Sequence, residues 1–230
     1  MNGTVRLVDS VSDSFAALVV EEIIASPDSC RLFLSGGGTA EECYQAVAAR
    51  PGVDWSGVDI YLGDERCVPP DDPDANHRMI TSVLLDHVGP VHGDHPMFTG
   101  GTPAGAADAY QELVAALPDL GLVHLGLGPD GHTASLFPGS AALDITDPDR
   151  AVVANRDPNG VNPHDRITLT YGGIARARRV VFTVSGASKQ DPFNRIAAGE
   201  DLPAARVHGG DVLWLVDSDA IGDVTPDEVG

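Results

Sequence analysis

Arg-Leu-Phe-Leu-Ser-Gly-Gly-Gly-Thr-Ala, residues 31–40, is a near-continuous apolar run that breaks on three glycines and resumes as a helix. A strand whose residues are apolar on both faces belongs inside a sheet covered on both sides, and such sheets are mostly parallel. Thr39 followed by Glu42 has the spacing of a capping box, which predicts a helix over Thr39–Arg50. Strand, glycine turn and helix in this order form half of a βαβ unit. The glycines let the backbone come close to a ligand and turn N–H groups toward it at the positive end of the helix, a natural seat for phosphate. A tight turn with no ligand is the alternative. The phosphate loop of nucleotide-binding proteins is excluded because no Gly-Lys-Ser/Thr follows.

The same unit recurs along the chain. Strands are predicted at Arg31–Ser35, Asp59–Gly63, Leu122–Leu127, Arg166–Tyr171, Val180–Ser185 and Asp211–Asp217. Ser14–Ala25 is amphipathic. Asn76–Val88 carries Ile80, Val83, Leu84 and Val88 on one side, and Thr102-Pro103 opens a helix that Pro118 stops. Alternating β and α elements predict an α/β fold with a mainly parallel sheet flanked by helices and right-handed crossovers. No linker divides residues 1–230, so one domain is expected. Asp144–Asp165 reads as a long loop with a short strand at Ala151–Ala154. It can close over a pocket as a lid and bring in Asn155, Arg156, Asn162, His164 or Arg166, or remain a solvated loop.

Composition narrows the classes. The chain has 34 acidic and 14 basic residues, a net charge of −20, which argues against nucleic acid or an anionic membrane as partner. Cys30, Cys43 and Cys67 have no ligand-like spacing and suit a reducing compartment. The first residues lack a signal-peptide core, and no apolar run is long enough to span a bilayer, so a cytoplasmic protein is expected.

Three further loops follow predicted strands. Residues 61–79 (YLGDERCVPPDDPDANHRM) place Asp64, Glu65 and Arg66 at a strand's carboxyl end, where open α/β sheets bind ligands. Arg66 offers a planar fork to phosphate or carboxylate, although a solvated charge cluster has the same composition. Asn76 reads either as part of this site or as the cap of the next helix. Residues 126–140 (GLGPDGHTASLFPGS) formally contain G-x-G-x-x-G, but Pro129 inside the turn and Pro138-Gly139 soon after leave no helix for a dinucleotide. The loop instead presents Asp130 and His132, and an imidazole there can take a proton from water. A surface histidine is the bland alternative, and no second ligand pair supports a metal at these residues. His92 and His95 read as loop residues. Residues 185–189 (SGASK) end on Lys189, the one lysine in a chain with 13 arginines, which suits a point charge on phosphate. No nucleophile elbow is present, and neither Ser135 nor any cysteine is marked as activated, so water attack outranks covalent catalysis.

Taken in order, SGGGTA, LGDERCVP with DANHRM, LGLGPDGHTASLFPG, SGASK and LPAARVHGGDVLWLVDSDA resemble the 6-phosphogluconolactonase family over almost the full chain. The resemblance implies a single-domain modified Rossmann-like fold shared with sugar-phosphate isomerases. It also implies hydrolysis of 6-phospho-D-glucono-1,5-lactone, the second step of the oxidative pentose phosphate pathway, with no metal or organic cofactor and a phosphorylated sugar lactone as the small-molecule partner. His132 then matches the general base, with Asp130 beside it and Asp64 in the catalytic set. Gly36, Gly37, Gly38, Thr39, Arg66, Asn76 and Lys189 fall at substrate- and phosphate-binding positions. Two features depart from the pattern. The family's usual SGGSTP is SGGGTA here, which loses a hydroxyl at Gly38 but keeps the backbone donors, and Pro192 interrupts a helix that is usually continuous. A glucosamine-6-phosphate isomerase/deaminase shares the Asp-Gly-His loop but wants a further carboxylate near the histidine, and Thr133–Pro138 has none. A non-catalytic sugar-phosphate sensor would carry a basic helix-turn-helix ahead of the first core strand, and none is seen.

Overall fold

The computed structural model describes residues 1–222. Seven parallel strands form the main sheet in the order β1 (Thr4–Leu7), β10 (Asp211–Val216), β9 (Arg179–Val184), β6 (Leu122–Gly126), β2 (Cys30–Leu34), β3 (Val58–Leu62) and β5 (Gly93–Asp94). β2, β3 and β5 run outward one way and β6, β9 and β10 the other, so the strand order reverses between β2 and β6. That reversal opens a crevice at the carboxyl ends of these two strands. The predicted fold class holds: a mainly parallel sheet flanked by helices α1 (Val11–Ala25), α2 (Gly38–Ala48), α3 (Asn76–Ile80), α4 (Pro103–Ala115), α5 (Tyr171–Ile174), α6 (Gln190–Ala197) and α7 (Ser218–Ile221). All six predicted strands are present, each ending a residue or two earlier than expected; after Leu169 and Val216 the chain turns at once into the helix caps Thr170 and Asp217.

Several expectations need correction. A second, antiparallel sheet was not expected; it has the order β4 (Asp64–Arg66), β8 (Arg166–Leu169) and β7 (Val152–Asn155), and its β7 is the short strand expected at Ala151–Ala154, shifted by one residue. Ser10 caps α1 by accepting from Asp13 N–H, so that helix begins at Val11 rather than Ser14. The Thr39/Glu42 box does not form. Gly37, at φ +104°, is the N-cap of α2, and no side chain caps it. Asn76 is not the cap of α3, since the Glu65 carboxylate takes that role by accepting from the Asn76 and His77 N–H groups at 2.7 and 2.8 Å. After Ile80 the chain makes a π-helical turn, Thr81–Leu85. Pro192 does not interrupt α6; it is the third residue, where a missing N–H leaves no intrahelical bond unmade. His92 and His95 are loop residues as expected, flanking β5 and both held on the carboxylate of Asp59. Among the described residues no helix is long and apolar enough to cross a membrane.

The core lies between the main sheet and its helices and includes Phe15, Phe33, Phe182 and Trp214. One buried polar group ties three elements together beneath the crevice. The fully buried His124 ring on β6 lies between the Tyr44 hydroxyl (2.7 Å from Nδ1) and Thr183 Oγ1 (2.8 Å from Nε2). Ser35, the first residue of the glycine loop, donates its Oγ to the His124 carbonyl at 2.7 Å and its N–H to the Tyr44 hydroxyl at 2.8 Å. Burial holds the His124 imidazole neutral, with its pKa lowered to about 3. Below the ordinary histidine value the unfolded chain gains a proton that the folded protein refuses. Unfolding free energy is therefore expected to fall by about 1.4 kcal/mol per pH unit from near pH 6.5 toward pH 3 on this account. Urea unfolding across pH 4–7 checks this by difference: His124→Gln should show a slope shallower by one proton, and equal slopes would contradict it.

Candidate active site

A cavity of about 210 Å³ opens at the crevice between β2 and β6. It is lined by the glycine loop Gly36–Thr39, by Asp64, Arg66 and Asn76, by Gly128 and His132, and by Lys189. Asp130 stands just behind His132. The topology thus brings the residues expected from separate loops to one place.

Close approach explains two of the glycines. A Cβ on Gly36 would lie 1.9 Å from Asn76 Oδ1, and one on Gly128 would lie 2.2 Å from the His132 ring. Side chains there would push both functional groups out of place. With no side chain capping α2, the N–H groups of its first turn face the cavity rim.

The imidazole is set by its neighbour. Asp130 Oδ1 accepts from the His132 N–H at 3.1 Å and lies 2.5 Å from His132 Nδ1. Partial burial pushes the Asp130 carboxyl up, but the hydrogen bonds and charge of His132 outweigh it and hold the carboxyl below its ordinary value. A charged Asp130 keeps the proton on Nδ1, so Nε2 carries the lone pair. This is the tautomer a water-activating base needs.

On the other side of the cavity, β4 alternates its side chains. Asp64 and Arg66 face the cavity, while Glu65 turns away to cap α3. Arg66 reaches the Asp74 carbonyl through Nη1. Asn76 is buried; its Nδ2 donates to the Asp64 carbonyl at 2.9 Å, and its Oδ1 has no partner. Lys189 donates from Nζ to the Leu127 carbonyl at 2.8 Å, and burial pushes its pKa down. An anion in the cavity would remove that penalty.

Arg166 is the residue the sequence reading passed over, naming it only among the residues a lid could bring in. It is 5% exposed and lines the cavity from β8, directly across the ladder from Arg66, yet its Nε and Nη1 have no partner. Burial lowers its pKa, opposed by the nearby Asp64 charge. Buried polar groups are nearly always paired, and these two guanidinium nitrogens beside the cavity are an exception. The available signal was a charged residue opening an otherwise buried strand. Of the other residues assigned to the possible lid, Asn162 lines the cavity. Asn155 instead holds the Ser135 carbonyl, Arg156 pairs with Asp165, and His164 pairs with Asp74.

A carboxylate-backed imidazole, a glycine-lined helix end and three cationic side chains meet at the reversal point of a parallel sheet, the arrangement of an α/β enzyme. Residues 4–214 match the family described as glucosamine-6-phosphate isomerases/6-phosphogluconolactonase, and the chain belongs to that family. It is 38% identical to a 6-phosphogluconolactonase of Synechocystis sp. over 223 residues, with 90% of each chain covered. It is 36% identical to a 6-phosphogluconolactonase of Mycobacterium leprae, with 89% of each covered. The solved structure of 6-phosphogluconolactonase from Trypanosoma brucei has a TM-score of 0.83 at 27% identity, covering 97% of this chain and 99% of that one.

Proposed function

We propose that this chain hydrolyses 6-phospho-D-glucono-1,5-lactone to 6-phosphogluconate, the second step of the oxidative pentose phosphate pathway. The observation that carries the reading is the Asp130–His132 pair, its free Nε2 on the wall of a cavity whose opposite side is cationic. The phosphate is held by the N–H groups of Gly37, Gly38 and Thr39 with Arg66, Arg166 and Lys189, which brings the lactone carbonyl beside His132. Nε2 removes a proton from water as the water oxygen bonds to C1. Asp130 steadies the imidazolium that results. When the bond from C1 to the ring oxygen breaks, His132 returns the proton to that oxygen, and the new carboxylic acid ionises in solution. The positive cluster acts locally despite the net charge of −20, because salt screens the acidic surface over about 8–10 Å.

Isomerase/deaminase chemistry is disfavoured by the wall itself. Among the described residues lining the cavity Asp64 is the one carboxylate, and Thr133–Pro138 are all uncharged. The test is acid release in a pH-stat from freshly made lactone, run beside ammonia release from glucosamine-6-phosphate. The expected result is saturable acid release above the spontaneous rate and no ammonia; ammonia without acid would reverse the assignment.

A charge-assisted contact is worth about 1.5–3 kcal/mol, so Lys189→Ala is expected to raise KM about ten- to a hundredfold with kcat little changed. Steady-state kinetics check this, and a loss confined to kcat would move Lys189 from binding to the chemistry.

A further inference from the structure

Ser135 is tied more tightly than a cavity-wall serine needs to be. Its N–H donates to Thr168 Oγ1 at 3.1 Å, its carbonyl accepts from Asn155 Nδ2 at 2.7 Å, and the residue is 1% exposed. The residue before it, Ala134, is held at φ +47°, the left-handed region that alanine seldom adopts. This strained turn sets the direction of one atom. Ser135 Oγ donates to Asp64 Oδ2 at 2.6 Å, across 71 residues of sequence, inside the cavity wall. A serine hydroxyl has one proton, and here it goes to Asp64 rather than to His132, so Ser135 is not poised as a nucleophile.

The bond leaves Asp64 with one engaged oxygen and one open one. Oδ1 has only the Asn76 amide at 3.5 Å, too long for a full hydrogen bond. Carboxylates accept strongly from hydroxyl groups, and the lactone of the proposed reaction carries several on its ring. We propose that Ser135 is a positioning residue: it fixes Asp64 so that Oδ1 accepts from one ring hydroxyl of the lactone, and the pair sets specificity for the hydroxylated sugar. The inference rests on the lactonase reading.

The experiment compares kcat/KM on 6-phosphogluconolactone and on its analogues lacking the 2-, 3- or 4-hydroxyl, for the wild-type protein, Ser135→Ala and Asp64→Asn. A lost hydrogen bond to a charged group should cost the wild type about tenfold or more on one of the three analogues. In Ser135→Ala the loss should fall mainly on KM of the parent lactone, with kcat retained. The penalty for that same analogue should shrink to within about threefold, while the other two ratios stay as in the wild type. Asp64→Asn should erase the same penalty, and it carries the test if Ser135→Ala does not fold. Each analogue is scored against the same variant's rate on the parent, so a general loss of activity cancels. Undiminished discrimination in both variants overturns the proposal, as does a wild type indifferent to all three hydroxyls. A kcat collapse on every lactone in Ser135→Ala overturns it in favour of a nucleophilic serine. No hydrolysis of the parent lactone by the wild type overturns the lactonase reading itself, and this proposal with it.

Discussion

Replacing His132 with alanine is expected to lower kcat on 6-phosphogluconolactone by about 10²–10⁴, the usual contribution of a positioned general base. KM and the melting temperature should change little. The imidazole is partly exposed at the cavity wall, its side chain touching the ring of Phe137 at a centroid distance of 5.0 Å, so its removal leaves no large hole in the core. The residues proposed to hold the phosphate lie on other loops and are untouched by the substitution. Single-substrate kinetics with a thermal melt check both halves. A variant that turns over near the wild-type rate would remove His132 from the mechanism.

Arg166→Met is expected to cost more in recognition than any other single change. Losing one partner of a buried charge pair costs about 2–5 kcal/mol, which is about thirty- to several-thousandfold in kcat/KM. The free protein should not lose stability, because the guanidinium nitrogens Nε and Nη1 are buried without partners before the ligand arrives, and methionine fills similar space without that penalty. The specific readout is preference for phosphate. The ratio of kcat/KM for the phosphorylated lactone to that for glucono-1,5-lactone should collapse in Arg166→Met, and the rate on the unphosphorylated lactone should hardly move. A fall in melting temperature with unchanged preference would make Arg166 a structural residue instead.

The sheet interior was legible because strands buried on both faces cannot hide their apolar runs. Three strands were not legible, each for a reason. Thr4–Leu7 is a four-residue edge strand with mostly exposed side chains. Gly93–Asp94 is two residues long. Asp64–Glu65–Arg66 is wholly charged and becomes a strand only by pairing with Arg166–Leu169, a partner a hundred residues away. The π-helical turn after Ile80 had no signal, because Ile80, Val83, Leu84 and Val88 are spaced as on an ordinary α-helix.

The site loops were legible as places, through glycines at strand ends, but not as connections. Nothing local indicates that Glu65 rather than Asn76 would cap α3, or that Ser135 would reach Asp64. The failed capping box at Thr39 is informative in the same way. The helix end stays uncapped by side chains because its N–H groups face the cavity, so a rule of local helix stability gives way where a ligand is expected.

In the proposed mechanism, loop tips from separate strands clamp the phosphate and leave the reacting carbon beside one imidazole. A crystal structure with 6-phosphogluconate bound tests it most directly. Phosphate oxygens are expected on the N–H groups of Gly37–Thr39 and on Arg166 and Lys189, with the product carboxylate about 2.6–3.2 Å from His132 Nε2. A phosphate seated elsewhere, or a carboxylate turned away from His132, would contradict it.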